Sequence, residues 1–225
     1  CRNMQHAVLD AGISARALWG AALLSMAALR VPAAESALPA SDDAQHGFSF
    51  VLGAASEYAV HGLARSLGEP VVNAQVGYGF GSGWQAAARG STMNLNRGPG
   101  PSRELALYLG RQRALNDDWQ AGASIARYEY WKNVRGFSYD YTEATIEAEW
   151  RSMLRFRLQY SPDYSIFVRG RPMREFQTLT GEVQFSRALH RSVLGTVALG
   201  YYDLSDAIGS GFFFWSVGAV ATRGR

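Results

Sequence analysis

Residues 141–160 read YTEATIEAEWRSMLRFRLQY, and their spacing decides the fold. Glu143, Glu147 and Glu149 share one parity, while Thr142, Ala144, Ile146, Ala148 and Trp150 take the other. After a short break the charge changes sign, and Arg155 and Arg157 alternate with Leu154, Phe156, Leu158 and Tyr160. Successive side chains of a strand point to opposite faces, so a period of two gives one apolar and one charged face; a helix would scatter both sets. The stretch predicts two strands joined tightly at 150–152. Two architectures accept such strands: a soluble sandwich, whose apolar face covers a core, and a membrane barrel, whose apolar face meets lipid while the charges line the interior.

The alternation recurs along the chain. In FSFVLGAASEYAV (48–60), Phe48, Phe50, Leu52, Ala54, Tyr58 and Val60 oppose Ser49, Gly53, Ala55 and Glu57. Further alternating segments lie near 70–80, 84–92, 103–113, 119–131, 175–187, 192–202 and 212–222, which makes ten predicted strands. Gly81-Ser82-Gly83 and Asn116-Asp117-Asp118 supply turns, and longer connections fall at 93–102, 162–174 and 203–211. Segments of about 9 to 13 residues exceed the usual strand of about 5 or 6 and suit a tilted bilayer crossing of about 9 to 11. Tyr78, Phe80, Trp84, Trp119, Tyr130, Trp131, Trp150, Tyr160, Tyr201 and Trp215 lie at or near segment ends, as interfacial girdles do. The expected fold is all-β, an antiparallel up-and-down transmembrane β-barrel of about ten visible strands occupying residues 47–225.

Composition points the same way. Charged residues make up 18% of the chain, against about 25% in soluble domains, and 24 glycines serve the turns and small polar positions. RALWGAALLSMAALRVPA (16–33) sets Arg16 ahead of an apolar run, Ala17 to Leu29, and then Val31-Pro32-Ala33. The run is shorter than the roughly 20 residues of a membrane helix and has the form of an export signal. Residues 1–33 are therefore expected to be a signal peptide, with Met4 a candidate true start and 34–46 a disordered lead-in. Without Arg2, Asp10, Arg16 and Arg30 the remainder carries 19 basic and 18 acidic residues, so the pI near 9.1 implies no nucleic-acid partner. Cys1 is the only cysteine, which excludes a disulfide framework. The expected location is the outer membrane, with its lipid as partner.

In that setting Glu143, Glu147, Glu149, Arg155 and Arg157 project into the lumen, where opposite charges on neighbouring strands pair and fix register. Glu57, Arg89, Glu104, Arg127, Glu129 and Glu182 are expected to extend the network. It either braces a narrow lumen or helps select a small solute.

SEYAVHGLARSLGEPVVNAQVGYGFGSGWQAAARGS (56–91) resembles the proteobacterial outer-membrane barrel family labelled Gcw_chp. Ser56, Glu57, Tyr58, Gly62, Pro70 and Gly83-Trp84 carry the likeness, with His61 where that family has Arg. YDYTEATIEAEW (139–150), Tyr160-Ser161-Pro162-Asp163-Tyr164 and GYYDLSD (200–206) also fit. The resemblance implies a barrel of about twelve strands with an aromatic end. VATRGR (220–225) departs from that ending, so a barrel truncated at its C-terminus is expected. No activity is implied by the resemblance.

Catalytic and metal patterns are sparse. His46, His61 and His190 have no ligand spacing, and there is no Gly-x-Ser-x-Gly elbow or phosphate loop, so neither an enzyme nor a cofactor is expected. Glu57 with His61, and His190 with Ser186 or Ser192, are the available pairings. The functions left open are a narrow porin-like channel or small-solute transporter, a structural or adhesive barrel filled by its own side chains, a membrane enzyme, and a soluble exported sandwich.

Overall fold

A computed structural model describes residues 46–66, 68–93, 102–131, 139–165, 175–190 and 193–221. The expected signal peptide, almost all of the lead-in and the last four residues lie outside that range. Ten long strands form one sheet: β1 (Gly47–Ala55), β4 (Val71–Gly81), β5 (Trp84–Met93), β6 (Ser102–Ala114), β7 (Trp119–Trp131), β8 (Tyr141–Trp150), β9 (Leu154–Ser165), β10 (Glu175–His190), β11 (Val193–Asp203) and β12 (Phe212–Ala221). Each pairs antiparallel with its successor in the order β1-β4-β5-β6-β7-β8-β9-β10-β11-β12. Two short strands, β2 (Ala59–Val60) and β3 (Leu63–Ala64), make a separate hairpin, and a single helical turn, α1 (Ser205–Ile208), lies before β12.

Turn chemistry sets the register. Gly81 pairs with Trp84 across Ser82 and Gly83, both at positive φ, and Trp150 faces Leu154 beyond Arg151 and Ser152, again both positive. Two consecutive positive φ values match the right-handed twist of a hairpin. Gly83 is required twice over, because a Cβ there would fall 1.8 Å from the Gln112 carbonyl oxygen. Asn116 shapes the β6–β7 turn by accepting from the amides of Asp118 (3.0 Å) and Trp119 (2.9 Å). Arg151 bears an unfavourable backbone conformation, held by its amide on the Asp118 carbonyl (2.7 Å) and by a two-pronged bond to the Asp118 carboxylate (2.7 and 3.1 Å).

All four short turns, after β4, β6, β8 and β10, lie at one end of the sheet, and the longer connections lie at the other. Register places Gly47 opposite Gly79 and Ala221 opposite Val193, so β1 begins and β12 finishes at the short-turn end.

The faces of the sheet differ sharply. One carries Phe50, Val76, Leu109, Ile125, Ile146, Leu158, Val183, Leu199 and Trp215, all well exposed. The other holds a core of alternating small and large residues, in which Ala87, Ala106 and Ala126 leave room for Tyr108, Tyr128, Tyr130, Tyr141 and Tyr164. The sheet is curled. Residues of the 56–70 connection touch β5, β8, β9, β11 and β12 on the inner side, which a flat sheet of ten strands does not permit.

Several expectations need correction. The first strand ends at Ala55 rather than continuing to Val60, and residues 56–66 leave the sheet to lie against its inner face. Tyr130 points inward and so does not belong to the expected girdle. β1 and β12 do not pair with each other among the described residues, so the up-and-down sheet is present without closure into a barrel.

Candidate functional site: the inner face and its hairpin

The charges that alternate in the sequence meet across strands. Glu149 stands opposite Arg155, and Glu147 opposite Arg157, on β8 and β9; Arg157 in turn faces Glu182 on β10. Arg155 bonds Glu149 at 2.5 and 2.8 Å, whereas Arg157 sits between Glu147 (3.7 Å) and Glu182 (3.6 Å). Farther from the short turns a glutamine stands where the ladder had arginine: Gln159 donates to Glu143 (2.9 Å) and accepts from His61 Nε2 (3.0 Å). Gln112 reaches Glu147 (2.8 Å) over Gly122, whose missing side chain leaves the passage open; a Cβ would stand 3.1 Å from Gln112 and 3.3 Å from Glu147.

A second charged centre lies on β5 and β6. Arg89 bonds Glu104 (3.0 Å) with both side chains almost wholly buried, and the Tyr130 hydroxyl donates to the other carboxylate oxygen (2.8 Å). Arg89 also donates to the Tyr58 hydroxyl (3.0 Å) and lies over the rings of Tyr58 and Tyr108. Buried charges persist only when paired and hydrogen-bonded, and this cluster meets both conditions.

The hairpin occupies the end of the inner face nearer the long connections. His61 and Gly62 form its tip, both at positive φ. Gly62 rests against Phe214, where a Cβ would come within 2.7 Å of the Phe214 Cβ, and the His61 ring lies 4.8 Å from Tyr202. Burial pushes the His61 pKa below its ordinary value, against the opposing pull of Glu143, so the ring is neutral at pH 7. Arg65, on the far side of the hairpin, lies over Tyr164 (5.2 Å) and Tyr141 (6.0 Å) and donates to the Tyr164 hydroxyl. Tyr141 stacks on Tyr128 at 4.4 Å and meets Tyr164 edge-on at 4.9 Å.

Of the residues expected in the network, Arg89, Glu104, Glu143, Glu147, Glu149, Arg155, Arg157 and Glu182 share the inner face. Glu57 is exposed beside the hairpin. Arg127 and Glu129 stand on the outer parity with Ile125 and Trp131, because Tyr128 and Tyr130 take the inner positions of β7. Arg127 pairs there with Asp163 (3.1 Å) and Thr142 (3.1 Å). Asp163 reaches that face through a bulge: Ser161 pairs with Thr178 but Tyr164 with Phe176, and the extra residue at Pro162-Asp163 reverses the parity. Among the family-motif positions, Tyr58, His61, Gly62 and Tyr164 lie in or against the hairpin contact and Ser161 is buried on β9, whereas Ser56 and Pro70 are exposed at the hairpin's base and Tyr160 points outward.

His61 bonds Gln159 rather than Glu57, and the Ser186 hydroxyl accepts from Gln184 (3.1 Å). Ser192, the other serine expected to pair with His190, lies outside the described residues. No group of metal-ligating side chains occurs among the described residues. No family model and no curated protein matches the chain.

What the alternation did not reveal is the tyrosine cluster with its two arginines. Its signal was available in Tyr130 facing Glu104 and Tyr128 facing Tyr141 across their ladders, small and aromatic residues alternating on one parity.

Proposed function

We propose that the chain is an outer-membrane β-barrel protein that conducts or transports a small solute along its charged inner face, with residues 56–66 as a plug. The inverted face distribution carries this reading. Every long strand turns apolar side chains outward, while the buried charges pair on the inside, an arrangement that suits hydrocarbon outside and a polar lumen within. Trp84 with Arg111, and Trp150 with Arg151, put aromatic rings under cations near the short turns, as an interfacial belt requires. Both sheet termini share that end, which fits the periplasmic side. A bilayer demands that the outer edges of β1 and β12 be paired, so the reading includes a closing partner, either each other or added strands.

Below the hairpin, Glu143, Glu147, Glu149 and Glu182 outnumber Arg155 and Arg157, which favours cationic solutes. A second reading, a structural barrel filled by its own side chains, is favoured by the tyrosine packing. Planar-bilayer recording separates the two. The channel reading expects low conductance from the intact protein and a larger, cation-selective current once residues 59–66 are replaced by a short Gly-Ser link. Silence from both proteins after verified insertion favours the filled barrel.

A further inference from the structure

Arg65 differs from the other inner arginines. Arg89, Arg155 and Arg157 each face a carboxylate, but Arg65 has no carboxylate partner among the described residues. Its guanidinium is held by tyrosine rings and one tyrosine hydroxyl. It is also delivered by a small element. The hairpin's own ladder consists of Ala59 with Ala64 and Val60 with Leu63, and it has no ladder with the ten-stranded sheet. Two-residue strands have little stability alone, so side-chain contacts hold the hairpin in place.

We infer that the tyrosine recess formed by Tyr141 and Tyr164 is a binding site for alkylguanidinium cations, and that Arg65 is its built-in occupant, which a solute bearing that group displaces. A planar, weakly hydrated guanidinium stacks on aromatic faces and donates in their plane, whereas a compact ammonium retains its water more strongly. The buried Glu104 behind Tyr130 adds a field favourable to any cation there. The inference names a ligand class for the plug proposed above and rests on that reading only for the route by which the solute arrives. Because the tether presents Arg65 at an effective concentration of about millimolar, free ligand competes in the intact protein only at about that level or above.

The test uses the full chain folded in detergent micelles, with folding checked by circular dichroism and ethylguanidinium as probe. Arg65→Ala and Arg65→Gln empty the recess. Either folded variant should bind one equivalent of ethylguanidinium by titration calorimetry at least tenfold more tightly than the wild type, with ethylammonium weaker. In the wild type, saturating ethylguanidinium should raise hydrogen exchange at residues 58–66 at least tenfold. The inference is overturned if the variants show no saturable binding, if they bind no better than the wild type, or if wild-type exchange is unchanged. A heat-modifiable gel shift in the same samples reports on the barrel reading separately, so failure of one is distinguishable from failure of the other.

Discussion

Arginine placed on the outer face of β8 should destabilise the protein in a lipid bilayer according to depth. Ile146 points outward, 58% exposed, four residues from Trp150 at the short-turn end. At about 3.4 Å per residue and a tilt of about 40°, it lies roughly 10 Å from the Trp150 level. With an apolar band about 25 Å tall, that is about 2 Å from the midplane, where Arg costs about 2–4 kcal/mol. Ala148, half as far from Trp150, should cost about 1–2 kcal/mol by the same gradient. Leu158, which faces Ile146 on β9, should behave like Ile146. The inner-face control is Thr196→Arg, half-buried beside Gly218; Thr145 is too enclosed to serve. The assay is reversible denaturant unfolding in lipid vesicles, with stability taken from midpoint and slope. A cost for Ile146→Arg no greater than that for Thr196→Arg would refute the assignment of faces.

Further outcomes follow from the inner face. Glu104→Ala leaves Arg89 buried without its carboxylate and should cost about 3–5 kcal/mol in denaturant unfolding; a loss below about 1 kcal/mol would show that Tyr58 and water suffice. A double-mutant cycle on Glu149 and Arg155, half-buried and closely bonded, should give a coupling of about 1 kcal/mol, while the exposed Asp118–Arg151 pair should couple far less. Gly62→Ala forces a side chain against Phe214 at a positive φ and should raise hydrogen exchange across 58–66, detectable by mass spectrometry. His61 sits in the connection outside the long strands, with its pKa lowered chiefly by burial. Its contribution to docking is fully present above the unfolded value of about 6.5 and declines as pH falls toward the folded pKa, since the released hairpin binds the extra proton. Gln159, Glu143, Glu182, Arg65 and Tyr202 face it, and protection from exchange at 58–66, corrected for the intrinsic pH dependence of amide exchange, should decline as pH falls below about 6.5 in the wild type but not in His61→Gln.

How much of this was legible follows from the physics of each signal. Period-two charge, as in Glu147, Glu149, Arg155 and Arg157, fixes both the strands and their pairing, because a register slip would turn every charge to the wrong face. On β7 the same signal misleads. Arg127 and Glu129 alternate with Tyr128 and Tyr130, and tyrosine suits either face, so charge alone assigned the side incorrectly. The outward Arg127 is accommodated because the bulge at Pro162-Asp163 brings a carboxylate to it, a change of parity that alternation cannot foresee. The hairpin was hidden because Tyr58 and Val60 continue the apolar parity of β1. Only the His61-Gly62 turn marks the departure, and its docking depends on contacts about 100 residues away in sequence. Closure is a property of the two edge strands together, and neither β1 nor β12 carries a local pattern that specifies it.

The central claim, that the apolar face meets lipid while the charged face lines the interior, is tested most directly by spin labels placed singly from residue 143 to residue 150 in vesicle-reconstituted protein. The account expects oxygen accessibility to peak at 144, 146 and 148 and to fall at 143, 145 and 147, a period of two in phase with the apolar parity. Water-soluble nickel relaxing labels at 144, 146 and 148 as strongly as at 147 and 149, or a protein that does not associate with the vesicles, would contradict it.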